Sequence, residues 1–468
     1  MADYTKFFST ERVRKSSIRR QEEIDEFYSD RSRIIYCSSF RRLLQKAQVF
    51  SLEPNASVRT RLTHSLEVSD IGKTLATKIA QWLFEQKKIA EKDKYLIVSI
   101  VENACLLHDI GNPPFGHFGE AAIKDWAQNL EELIPDSIIL KEGKNQELLD
   151  RLLKDFKEFD GNPQAFRIVT KLHTEQDEYS LNLTYATLLC SLKYVRVAGG
   201  EKDEGIRKKA GYFQTEQKLV NEIWERVGIV KGSRYPFTYI MEAADDIAYC
   251  LSDISDGIEK NIITIDSFVK KFREEWEKKY PGESVPVDLK KIKNFNFDIS
   301  IPWSKKAMEE AFQNFIYNES HYLDGDAKSL INESDPMGRV LNVIKSVSRK
   351  ILYTSIKAEA IELTGYAVIT GILKRYERLL KLKEEEFDKI LNDNGKGYEL
   401  GRRLFHRIGQ RYVKAYNYAK QELKCDEKRA LKEWWLRIHL ILDHIAGMTD
   451  EFALETYQML EGINLFRY

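Results

Sequence analysis

The chain has 468 residues, with 73 Lys and Arg against 73 Asp and Glu, so its formal net charge is zero. That length leaves room for a large core and suggests about two or three domains, while the balanced charge argues against a dedicated nucleic-acid binder. No apolar run approaches the roughly 18 residues that a membrane span needs, and the first residues carry no apolar h-region, so neither a span nor a secretory signal is expected. Cys37, Cys105, Cys190, Cys250 and Cys425 form no CxxC pair, which fits reduced thiols in a cytoplasmic protein.

Along the chain the helical period dominates. Ile71, Leu75, Ile79 and Leu83 form an i, i+4 stripe after His64. Residues 95–107 are apolar nearly all round, as in a central helix. Ile240, Ala243, Ala244, Ile247, Ala248, Leu251 and Ile254 mark another buried helix over 238–258. Strand alternation is scarce, so an all-α fold is expected. The charged stretches 141–160, 199–210 and 380–398 read as surface loops or helix ends, and 304–317 and 376–391 as solvated amphipathic helices. The implied organisation is an N-terminal arm (1–58), a catalytic core (59–261) and a C-terminal helical lobe (262–468), with a soft boundary between the last two.

The stretch from 104 to 120 is the most informative. His108-Asp109 closes an apolar segment, a Gly/Pro-rich turn follows, and His117 and Glu120 then stand three residues apart. Two metal-competent side chains at the end of a buried helix have no packing purpose, and two ligands alone rarely hold a divalent ion. His64 opens the first stripe helix, and Asp245 lies inside the third apolar helix, where an acid is costly to bury unless it is paired or binds a cation. Asp245, Tyr249 and Asp253 fall at i, i+4 and i+8 and share a helix face, which Asp246 does not. Two imidazoles and two carboxylates suit one ion of Mn, Mg, Fe, Co or Ni better than structural zinc.

These words resemble a known family. The order His64…His108-Asp109…Asp245 resembles that of the HD-domain metal phosphohydrolases. The segments around Phe40–Phe50, Arg59–Val68, His108–Glu120, Gly161–Val169, Glu242–Tyr249 and Ile445–Asp450 resemble those of the deoxyguanosine triphosphate triphosphohydrolases. The resemblance implies an HD-type helical core and hydrolysis of a deoxynucleoside triphosphate, dGTP above others, to deoxynucleoside and inorganic triphosphate. Water would attack the α-phosphorus with the 5′-oxygen leaving. It implies His64, His108, Asp109 and Asp245 as metal ligands, with Mn or Mg foremost. His117 and Glu120 would handle proton transfer, with the division between them open. Arg61, Lys193, Lys209 and Asn162 would contact the triphosphate, the Tyr249 ring would cover the deoxyribose, and Asp253 with Gln48 would bind the 3′-hydroxyl. Two departures stand out: Pro163 follows Asn162 where the family has Ala, and Val195 follows Lys193-Tyr194. By analogy the family also implies a homo-oligomer, commonly a hexamer.

Alternatives remain at this level: an HD-domain enzyme that removes one phosphate or cleaves a phosphodiester, or a sensor that mainly binds nucleotide or nucleic acid. The basic, aromatic-containing stretches 374–383 and 402–420 could hold single-stranded DNA as an effector.

Overall fold

In a computed structural model of the chain, residues 3–138, 144–290, 292–393 and 396–463 are described. The chain forms two compact units, each assembled from three stretches: 1–109, 183–195 and 219–361 in the first, and 110–182, 196–218 and 362–468 in the second. These units run across the boundaries expected at 58/59 and 261/262. The fold is all-α; the sheet found among the described residues is a parallel pair, Arg196–Val197 with Ala210–Tyr212, in the second unit.

The first unit is built on three helices that the apolar periodicity predicts. Arg61–Glu85 begins at a capping box, in which the Thr60 hydroxyl accepts the Thr63 N–H and the Thr63 hydroxyl accepts the Thr60 N–H. Its Leu75, Ile79 and Leu83 are fully buried. Asp93–Leu107 packs along it, and Gly72 sets how closely: a Cβ there would lie 2.5 Å from Cys105 Sγ. Thr238–Glu259 packs on both. Arg59 ties the last helix to the first, with its guanidinium 2.6 Å from Asp256 and 2.8 Å from Glu67.

A second layer covers the far side of Thr238–Glu259. Ile247, Cys250, Leu251 and Ile254 share one apolar cluster with Phe268, Phe272, Trp303, Val340, Ile344 and Val347. The helices Ile265–Lys279, Ile301–Tyr317 and Pro336–Ile351 supply these partners. The expected boundary at 261/262 therefore falls inside a single hydrophobic cluster.

In the second unit, two expectations need correction. Lys144–Lys157, within the stretch read as surface loops or helix ends, is one helix with Leu148, Leu149, Leu152, Leu153 and Phe156 buried; charges on its other face masked the stripe. Residues 376–391 are not one helix: Ile356–Leu380 ends before Glu384–Leu391 begins. Residues 139–143 and 394–395, in or beside these charged stretches, lie outside the described residues. Arg429–Ala446 is buried along nearly its whole length. Its charges are paired, Arg437 with Glu433 and Asp443 with Arg167 at 2.8 Å, which is how so polar a helix occupies a core.

Candidate metal centre and proton-transfer pair

In the first unit the helix ends bring His64, His108 and Asp109 together, with ligand atoms that all lie within 4.8 Å of one another. Asp245 joins them: its Oδ1 is 3.4 Å from His64 Nε2 and 3.6 Å from His108 Nε2. His108 Nδ1 donates to the Cys105 carbonyl at 2.7 Å, which fixes the tautomer and leaves Nε2 as a lone pair facing the cluster. Both His64 nitrogens and His108 Nε2 are buried without a hydrogen-bond partner among the described residues. The unpartnered His64 ring and His108 Nε2, beside two carboxylates, form a donor set that fits a divalent ion with N and O ligands.

Two cations sit against these carboxylates. Arg61 Nη1 is 2.8 Å from Asp109 Oδ2 and 3.5 Å from Gln48 Oε1. Lys193 Nζ is 3.0 Å from Asp245 Oδ2. Burial alone would raise the Asp109 pKa, but Arg61 and the two imidazoles outweigh it and hold the group down at about 2. Asp245 is likewise buried yet held well below the ordinary carboxylate range by Lys193 and the imidazoles. Burial works against a charged Lys193 too, and Asp245 and Glu242 more than offset it. The carboxylates are thus ionised and the cations stay charged.

Tyr249 and Asp253 follow Asp245 on the same helix, as the spacing predicts. Lys345 Nζ lies 5.1 Å above the Tyr249 ring and 3.4 Å from Asp246 Oδ1, so Asp246 has a partner away from the cluster. Asp253 is buried; its Oδ2 accepts the Tyr353 hydroxyl, and its Oδ1 has no partner among the described residues. Burial pushes its pKa up to about 6, with the Tyr353 hydrogen bond and the His64 charge opposing.

The remaining candidates belong to the second unit. Phe115 (φ 59°) and Gly116 (φ 54°) are both left-handed, and they turn the chain into the Gly116–Ala127 helix. The Asp450 carboxylate accepts the Phe115 N–H at 3.0 Å, which restrains this costly conformation. The turn packs tightly: a Cβ on Gly111 would lie 2.0 Å from the Gly161 carbonyl, and one on Gly119 2.1 Å from the Pro114 carbonyl. Glu120 is buried, with Oε1 accepting the Gly161 N–H at 2.8 Å and Oε2 3.2 Å from His117 Nδ1. The His117 side chain is 82% exposed. A buried, anchored carboxylate holding one imidazole nitrogen leaves the other, Nε2, free to exchange a proton with solvent or ligand.

Asn162 and Lys209 are brought together by Asp160. Its Oδ1 caps the Gly161–Arg167 helix, accepting the Asn162 N–H at 3.1 Å, and also accepts the Asn162 side-chain amide at 2.5 Å; its Oδ2 is 2.7 Å from Lys209 Nζ. Pro163 falls in the first turn of that helix, where an N–H has no intrahelical partner, so Pro is accommodated.

The sequence-derived residues thus form two groups. His64, His108, Asp109, Asp245, Gln48, Arg61, Lys193, Tyr249 and Asp253 belong to the first unit, and His117, Glu120, Asn162 and Lys209 to the second. Sequence reasoning missed Asp160, Lys345 and Tyr353. Asp160, two residues before Asn162, had an N-cap signal; the other two had none.

The family model described as HD domain matches residues 61–204. Three curated relatives, each named deoxyguanosinetriphosphate triphosphohydrolase, are each 35% identical to this chain. The Serratia proteamaculans protein aligns over 98% of both chains. Those of Yersinia enterocolitica and Yersinia pestis align over 93% of both.

Proposed function

The chain belongs to the deoxyguanosinetriphosphate triphosphohydrolase family of HD-domain proteins, and from that premise we propose that it hydrolyses deoxynucleoside triphosphates, dGTP before the others, to deoxynucleoside and inorganic triphosphate. The observation that carries this reading is the convergence of His64, His108, Asp109 and Asp245, distant along the chain, with Arg61 and Lys193 in ion-pair contact with the two carboxylates. A divalent ion held by those four residues, Mn or Mg foremost, would supply positive charge to the reacting phosphoryl group and to the attacking water.

The protein's own groups account for the rest of the chemistry. A tetra-anionic tail needs fixed cations, which Arg61, Lys193 and Lys209 provide, with the Asn162 amide as a neutral donor. The 5′-oxygen must gain a proton as it leaves and the water must lose one. His117, with Nδ1 held by Glu120, can carry either proton on Nε2. Tyr249 lies one helical turn beyond Asp245, where its ring can pack on the sugar and leave no room for a 2′-hydroxyl. Asp253 and Gln48 would read the 3′-hydroxyl, a contact whose loss leaves a buried polar group unpaired and so discriminates strongly.

We extend the proposal to the setting. Among the described residues no helix is long and apolar enough to cross a membrane, and Cys37, Cys105, Cys190 and Cys250 are buried free thiols, which supports a cytoplasmic enzyme. Family analogy supports a homo-oligomer, a hexamer first. Single-stranded DNA as an effector has weaker support: of the aromatics in the basic stretches, Tyr376, Phe405, Tyr412 and Tyr416 are buried and not free to stack on bases, and Tyr418 is half-buried.

The test is the purified protein with Mn or Mg and each of the four deoxynucleoside triphosphates, with the products separated by ion-exchange chromatography. Triphosphate and deoxynucleoside in equal amounts, fastest from dGTP, is the expected result. Orthophosphate as the released anion would turn the assignment to a one-phosphate hydrolase, and nucleotide binding without turnover to a sensor.

A further inference from the structure

Asp253 is a half-used carboxylate. It is 2% exposed, its Oδ2 accepts the Tyr353 hydroxyl, and its Oδ1 is buried with no partner among the described residues. A buried acceptor left unpaired is costly, so Oδ1 is suited to a donor brought in by a ligand. Asp253 lies two helical turns beyond Asp245 on the Thr238–Glu259 helix, at i+8, and so shares the face that carries the proposed metal ligand.

Tyr353 is held firmly. It follows the Pro336–Ile351 helix, and its N–H bonds the Ser348 carbonyl at 3.3 Å. The preceding Leu352 is fully buried and sits in a notch at Gly257, where a Cβ would lie 2.4 Å from Leu352 Cδ2. Gly257 lies one helical turn beyond Asp253. The notch therefore fixes the Tyr353 backbone next to the turn that carries the carboxylate.

We infer that Tyr353 is a positioning residue for sugar recognition: its hydroxyl clamps Asp253 Oδ2, and so presents Oδ1 to the 3′-hydroxyl of the bound deoxynucleotide. This rests on the preceding proposal that Asp253 faces the deoxyribose. Tyr353 touches the carboxylate and not the sugar, so its removal loosens the acceptor without removing it. Nucleotides without a 3′-hydroxyl gain nothing from the clamp.

The experiment compares wild type, Tyr353→Phe, Asp253→Asn and the double variant with dGTP and with 2′,3′-dideoxyGTP, measuring triphosphate release, with thermal melts to check folding. In Tyr353→Phe, kcat/KM for dGTP is expected to fall about ten-fold, the scale of a lost hydrogen bond to a charged group. The value for the dideoxy substrate is expected to stay within about two-fold, so the preference for dGTP shrinks. The double variant is expected to match Asp253→Asn, because the clamp acts only through that carboxylate. Equal losses on both substrates, or an unchanged preference, would overturn the role of Tyr353 while triphosphate release from dGTP stood. A wild type that releases no triphosphate from dGTP would overturn the parent proposal and this one together.

Discussion

His108 is usable as a ligand because its other nitrogen is already engaged. With Nδ1 bonded to the Cys105 carbonyl, the ring cannot turn Nε2 away from the cluster without losing a hydrogen bond. His64 has no such anchor; it is fully buried and kept in place by packing and by Asp245. Its pKa is raised, because Asp245 and Asp109 outweigh the burial that would lower it. His117 is the opposite case, an exposed ring tethered by one buried acid. The two kinds of histidine should therefore fail differently. His64→Ala or Asp245→Ala is expected to lose both tight Mn binding and turnover, measured by metal analysis after gel filtration. His117→Ala is expected to keep the metal and lose roughly two to four decades in kcat, the usual scale for a missing acid/base. A His64→Ala protein with full metal content would remove His64 from the ligand set. At this scale the ligands were legible because polar groups interrupted apolar helices. Tyr353 and Lys345 were not, because a Tyr after a basic helix turn and a Lys on an amphipathic helix read as surface residues until the fold brings Asp253 and Asp246 to them.

Elements show the same contrast between pattern and context. The three helices carrying the ligands are marked by apolar stripes or runs, and the ends of Asp93–Leu107 and Thr238–Glu259 fall within a few residues of the expected positions. The Lys144–Lys157 helix was hidden by its charges, and the short Gly161–Arg167 helix is set by a cap and not by a stripe. That cap makes a pH prediction. Burial would raise the Asp160 pKa, but Lys209 and the Asn162 donors outweigh it and lower it below 3.8. A carboxylate depressed in the folded state stabilises it above the unfolded pKa. That contribution is lost as pH falls through the folded value. Asp160→Asn, which can still cap but cannot pair with Lys209, is therefore expected to melt below wild type at about pH 7 and to converge with it as pH falls below the ordinary carboxylate range. Lys209 is nearly half exposed, so the gap should be small and should shrink with added salt. Melting curves that stay equally separated across that range would show that charge on Asp160 does not hold this corner.

At the scale of the whole molecule, the question is how far along the chain the metal centre depends on its supports. Thr238–Glu259 carries Asp245, Tyr249 and Asp253 along one face and buries Ile247, Cys250, Leu251 and Ile254 in a cluster whose other wall is Phe268, Phe272, Trp303, Val340, Ile344 and Val347. Every residue of that wall lies between 262 and 361, a stretch in which the sequence carries no family-like segment and reads as part of a helical lobe. Exposing a buried aliphatic side chain costs about 1.5–3 kcal/mol, and a domain's whole stability is about 5–15 kcal/mol. Losing the partners of four such residues is therefore enough to unfold the helix that presents Asp245. A fragment ending at residue 261 is thus expected to show no cooperative thermal transition and no stoichiometric Mn binding, although it contains every proposed ligand, acid/base and substrate residue. Calorimetry and metal titration beside the full-length chain would decide the point. A fragment that melts cooperatively and takes up one ion per chain would mean that residues 59–261 form an autonomous core after all, and that the cluster with the later helices stabilises the site without being required for it.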